Sequence, residues 1–212
     1  MSNKTYPICF DGLFRQNIVL TSGLVTAPII VAATTGERAA LLSLTFFMIS
    51  YFTILLGRII PRKLVYTVRI ILYALIAAVV FIPTVIVADL LFPETVQSVM
   101  LYIELIVVNS LVLAKTESRF YLIPVSSMAI DSLVYIAGYA LAAFAVGIIR
   151  EVLTYGTIFG LHLCDALIPA AKSPFFGFFL VGIFAALCRA YYNRRRSREP
   201  EALELLTKGA DN

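Results

Sequence analysis

Charge is what this sequence lacks most. Of its 212 residues only 14% are charged and 60% are hydrophobic, against about 25% and about 45–50% in a soluble domain. That balance excludes an ordinary water-soluble domain and predicts a polytopic membrane protein, with length for one bundle and no separate soluble domain. Histidine is reduced to His162, which reads as a solvated loop residue. Cys9, Cys164 and Cys188 have no metal-ligand spacing. Neither a metal site nor a disulfide framework is therefore expected, and each cysteine reads as a small hydrophobe or an idle thiol. There is no phosphate-cradling glycine loop and no HExxH. The opening stretch MSNKTYPICFDGLFRQ has neither an apolar signal core nor a small-residue cleavage site, so a signal peptide is not expected. Phe10, Leu13 and Phe14 suit a segment lying along the membrane surface.

What the chain does have is long apolar runs. They predict an all-α membrane protein with six spans, at about 17–35, 39–56, 64–90, 96–114, 125–149 and 174–192. A helix needs about 20 residues to cross a 30 Å core. The expected division is an interfacial segment 1–16, a six-helix domain 17–192 and a tail 193–212, basic at first and then polar and mobile. With six spans, fourteen Lys and Arg fall on the side of both termini, among them Arg58, Arg62, Arg69, Lys115 and the RRRSR run at 194–198. Arg38, Arg150 and Lys172 fall on the other. Positive charge collects on the cytoplasmic side, so both termini are expected there, in the plasma membrane. The basic run reads as an anchor drawn to anionic lipid. The net charge of +4 therefore speaks of topology rather than of nucleic acid.

The most informative stretch is LYIELIVVNSLVLAKTES, residues 101–118. It is apolar, yet it carries Glu104 near its start and Asn109 in its middle, and it ends among Lys115, Glu117 and Arg119. A carboxylate at mid-membrane costs about 2.5–3.5 kcal/mol on the insertion scale. Glu104 is expected to face other helices, a polar cavity or the interface. Span one is also interrupted, by Gly23 and Pro28. A short interrupted span followed by a charged turn and a long span occurs in each half. Three spans per half make the second copy inverted, and paired interruptions of this kind point to a site near the midplane. That places Ala27–Pro28 opposite Asn109–Ser110. Glu104, Asn109, Ser110 and Asp131 are the candidates for an ion or solute path; Asp131 reads equally as a charge at a helix N-terminus. Arg150 and Glu151 read as a local pair at the outer end of span five, and Gly156 and Thr157 as a turn. Gly138 and Gly147 suggest close helix packing.

Five segments resemble a known family, the six-helix integral subunits of Rnf and sodium-pumping Nqr electron-transport complexes, of the Rnf E and Nqr D type. They are FDGLFRQNIVL, GLVTAPIIVAATT, ELIVVNSLVLAKTES, AIDSLVYIAG and GIIREVLTYGTIFG. The last is the most specific, and together they cover most of residues 10–160. The matching motif residues include Pro28, Glu117, Arg150, Glu151, Gly156 and Thr157. The resemblance implies ion-translocating electron transport, a paralogous six-helix partner of opposite topology, and a [2Fe–2S] cluster held by one cysteine from each interrupted helix of both subunits. Here the two ligand positions are Ala27 and Ser110. Alanine offers no ligand and serine is a poor substitute for a soft thiolate. Glu104 also stands where the family has proline. No cofactor is therefore expected in this chain.

Three functions stay open. The chain is a subunit of an Rnf or Nqr-type complex that ligates no cluster itself, a transporter of an ion or small solute on the same scaffold, or a structural partner of a paralogue.

Overall fold

A computed structural model describes residues 17–108, 110–120 and 123–210. The order is α1 (Thr26–Ala32), α2 (Gly36–Gly57), α3 (Tyr66–Leu91), α4 (Pro93–Val107), α5 (Ser110–Lys115), a π-helical turn (Thr116–Phe120), α6 (Val125–Tyr155), a hairpin of β1 (Thr157–Ile158) and β2 (Leu161–His162), a 3₁₀ turn (Pro169–Lys172) and α7 (Pro174–Ala210). Five helical stretches among the described residues are long and apolar enough to cross a membrane: α2, α3, the broken Pro93–Lys115 stretch, α6 and Pro174–Tyr191. The chain is an all-helical, multi-pass membrane protein apart from the small hairpin.

The central element is α2. Thr35 caps it by accepting from the Arg38 amide at 3.3 Å, and Glu37 in its first turn suits the positive end of the helix dipole. Its 22 residues make about 33 Å at 1.5 Å each, enough for the hydrocarbon core. It packs most extensively on α6 and also on α3 and α4. Gly147 allows the close approach: a Cβ there would stand 2.8 Å from the Ala39 Cβ and 2.9 Å from the Thr35 carbonyl oxygen. Further along the seam Phe46 stacks on Tyr139 with ring centroids 3.9 Å apart.

The expected first span is not a spanning helix. Asn17 is fully buried and its carboxamide oxygen accepts from the Val19 and Leu20 amides at 2.9 and 3.0 Å. Its amide nitrogen donates to the Gly138 carbonyl at 2.8 Å. These bonds cap a turn that is not continued as a helix. Gly23 and Val25 then take left-handed conformations, with φ of 65° and 54°, which a right-handed helix does not tolerate. Only the seven residues of α1 are helical, about 10 Å of rise. The interfacial segment expected at 1–16 lies outside the described residues. The fourth span is broken as expected: α4 stops at Val107, Val108 has φ −99° and ψ 58°, and α5 starts at Ser110. α7 continues as helix to Ala210, through the residues expected to form the tail.

Gly147→Ala is expected to force α2 and α6 apart and cost about 1–3 kcal/mol by overpacking. The readout is a lower thermal unfolding midpoint of the detergent-purified protein. An unchanged midpoint would mean that the seam relaxes without loss.

Candidate functional site

Two polar clusters sit at opposite ends of the bundle, and the helix interruptions lie between them. At the end where α6 terminates, Arg150 is fully buried. Its Nη1 donates to the carbonyls of Ile30 at 2.8 Å and Ala33 at 3.2 Å. Its Nε donates to Ala171 at 3.1 Å, and Nη2 to Lys172 at 2.8 Å and Ser173 at 3.2 Å. The guanidinium therefore closes the C-terminal end of α1, where helix carbonyls lack partners and the dipole is negative. It also ties that end to the turn before α7. Gly177 makes room, because a Cβ there would stand 2.3 Å from the Ile30 oxygen.

Glu151 faces elsewhere. Its Oε2 accepts from the Gly36 amide at 2.6 Å, at the start of α2. Its Oε1 accepts from the Thr157 hydroxyl and the Gly160 amide, both at 3.1 Å. The expected Arg150–Glu151 pair is replaced by two separate clamps, since adjacent helical residues point to different sides. Gly156 is the turn expected there. It has φ 67°, and a Cβ would come 1.7 Å from the Cys164 carbonyl oxygen, so no other residue fits. Nearby, the Thr95 hydroxyl donates to Glu37, joining the starts of α4 and α2.

At the opposite end, Glu117 lies in the π-helical turn, a rare conformation common at functional positions. Arg69 donates to it twice, at 2.7 and 3.1 Å, and the Tyr73 hydroxyl donates at 2.8 Å. Arg62 reaches the Glu117 carbonyl at 2.9 Å and Arg58 the Phe120 carbonyl at 3.2 Å. The Arg69 hydrogen bonds, aided by the Tyr73 hydroxyl, hold the Glu117 carboxyl below its ordinary value against the opposing effect of burial. Lys115 lies 4.2 Å from the Tyr135 ring centroid. Sequence reasoning used Arg58, Arg62 and Arg69 only to set orientation. Their second role had one local sign, the charged end of the 101–118 stretch.

The remaining candidates fall between these clusters and do not converge. Glu104 is exposed on α4, whereas Asp131 is buried within the bundle. Asp131 lies in the second turn of α6, beyond the first turn in which a charge feels the helix dipole. Ala27 is exposed at the start of α1, Pro28 is buried behind it, and Ser110 is half-buried at the start of α5. Asn109 lies outside the described residues. α1 packs against α4, which puts the two interruptions on neighbouring elements. Among the described residues no group of three His, Cys, Asp or Glu side chains is placed to hold a metal.

Residues 5–185 match the Rnf-Nqr subunit family of membrane proteins. The chain belongs to that family. It is 24% identical over 201 residues to the E-type subunit of the proton-translocating ferredoxin:NAD(+) oxidoreductase complex of Clostridium ljungdahlii, covering 93% of this chain and 94% of that one. It is 28% identical over 149 residues to the E-type subunit of the ion-translocating oxidoreductase complex of Edwardsiella ictaluri, covering 70% of this chain and 63% of that protein. The corresponding protein of Yersinia pestis matches at 28% over 149 residues, 64% of its length. Arg150, Glu151 and Gly156 thus have structural roles in a family scaffold, joining α1, α2, α6 and α7 at one end.

Both clusters can be tested by substitution. Arg150→Met leaves several buried carbonyls without a donor, each worth about 1–3 kcal/mol. The variant is expected to lose its monodisperse size-exclusion peak, and Arg150→Lys, with three donors, to lose part of it. Glu117 has a depressed folded value, so its contribution is present above the unfolded carboxylate value of 4.5 and is lost as pH falls through the folded one. The difference in Tm between wild type and Glu117→Gln is expected to be present at neutral pH and to close below 4.5.

Proposed function

We propose that this protein is a membrane subunit of an Rnf-type ion-translocating electron-transport complex and that it does not itself ligate a [2Fe–2S] cluster. The observation that carries the first part is the match to an E-type subunit along 93% of the chain. The second part is supported by donor chemistry. The positions corresponding to cluster ligands hold Ala27 and Ser110, and neither supplies the thiolate that iron–sulfur clusters take. Cys164 lies exposed in the loop after β2 and Cys188 lies in α7, neither on an interrupted helix. The residues present do not fit the group, so no electron step is routed through them.

In this reading each interrupted element opens one three-span half of an inverted repeat. With the interrupted stretch 17–35 counted as the first of six crossings, both termini are cytoplasmic, the membrane is the plasma membrane, and the partner is a paralogous six-helix protein inserted the other way round. The contribution of this chain is then structural. The Arg150 and Glu151 clamps fix one end of the bundle, the Glu117 cluster fixes the other, and the surface around Ala27 and α4 is left for the partner.

The complex is isolated through a tag on this chain and assayed for iron, acid-labile sulfide and EPR signal. Partner subunits bearing flavin and iron–sulfur centres are expected to co-purify, with identical iron content in wild type and Ser110→Ala. A [2Fe–2S] signal that disappears in Ser110→Ala would overturn the absence of ligation. Isolation without any partner subunit would overturn assignment to a complex.

A further inference from the structure

The outward faces of α3 and α4 differ in a way that says what each one meets. On α3 the exposed residues across the membrane are Ile71, Leu75, Val79, Ile82 and Ile86, an unbroken apolar stripe suited to lipid. On α4 the exposed stripe is Glu94, Gln97, Leu101, Glu104 and Val108, at the three- and four-residue spacing of one helix face. Glu104 stands at the midpoint of the 23-residue Pro93–Lys115 span. The helix breaks one turn later, at Val108, which is 78% exposed. Two costs therefore coincide on one surface. A carboxylate at mid-membrane is disfavoured in lipid, and irregular backbone at that depth is tolerated only where protein or a water-filled cavity covers it.

We propose that this stripe of α4 is covered by a membrane helix of a different subunit, and that this helix presents a lysine or arginine to Glu104. The inference rests on the reading above that the chain belongs to a multi-subunit complex with a partner near α4, and adds which stripe of α4 the partner covers and what chemistry it brings. A second copy of this chain does not suit the site. About an axis along the membrane normal it would set Glu104 against Glu104, and like charges repel most strongly at low dielectric. A cationic partner converts the isolated carboxylate into a pair and buries the exposed break with it. The carboxylate then acts in partner choice, since a helix without the cation leaves Glu104 unpaired.

The test is photo-crosslinking in native membranes, with benzoylphenylalanine at Leu101 on α4 or Val108 at its break, and at Leu75 on α3. Adducts are identified by mass spectrometry. Leu101 and Val108 are expected to yield an adduct with one other integral membrane protein, at a segment containing lysine or arginine, and Leu75 to yield no protein adduct. Glu104→Gln, which keeps the side-chain shape, should lower that yield by about tenfold or more, as loss of one member of a buried charge pair does. Exchange of the partner's basic residue for glutamate should restore the yield in Glu104→Lys. Lipid adducts alone at α4, an adduct with a second copy, a partner segment without a cation, or an unchanged yield in Glu104→Gln would each overturn the proposal. Isolation of the complex from the same membranes separates the two readings. An intact complex with no protein adduct at α4 overturns this inference alone, and absence of any complex overturns the proposed function.

Discussion

The structure depends on the satisfaction of backbone carbonyls by Arg150. A membrane bundle that contains a seven-residue helix must find partners for the ends of that helix, because lipid supplies none. The C-terminal end of α1 is met by a guanidinium carried on α6, whose five donors match several acceptors at once. The same group holds the turn before α7. Without it, α1 would not be a stable insert in the bundle. Glu151 performs the opposite service one residue on, giving an acceptor to the first amide of α2. A positive and a negative charge on one turn of α6 thus close helix ends of opposite polarity.

These clamps require close approach, and the glycines supply it. Gly147 brings α2 against α6, Gly177 brings α7 against α1, and Gly156 turns the chain where Cys164 crosses it. The bundle is held at one end by Arg150 and Glu151 and at the other by Glu117 with Arg69 and Tyr73. The membrane interior between these ends is mostly apolar packing, with the Phe46–Tyr139 stack at its centre.

The long uninterrupted helices were legible in the sequence because about 20 apolar residues have little choice but to be helical in a bilayer. The break after Val107 was legible because Asn109 interrupts an otherwise apolar run. The first span was misread for a definable reason. Its composition suits a helix, but Asn17 bonds to Gly138, 121 residues away, and no local pattern reveals that. The Arg150 and Glu151 roles were misread similarly. The motif marked the residues as important, but their partners are mainly backbone groups, which every residue has and which composition cannot single out. Glu117 was visible as part of a charged cluster, whereas Arg69, 48 positions away, was not visible as its partner.

These supports are made through backbone groups and residues other than Ala27 and Ser110, which explains how the scaffold tolerates its unusual residues. Ala27 is exposed and Ser110 half-buried, and no clamp passes through either side chain. Neither side chain carries much of the packing, and substitutions away from special features change stability by only about 0.5 kcal/mol. Glu104 is likewise outside the core formed by Val96, Val99, Ile103 and Ile106. Fold and surface chemistry are therefore nearly independent variables in this bundle. The polar clusters that hold the bundle sit at its two ends. Ala27 and Glu104 sit exposed on α1 and α4, where their consequences fall on whatever the bundle contacts.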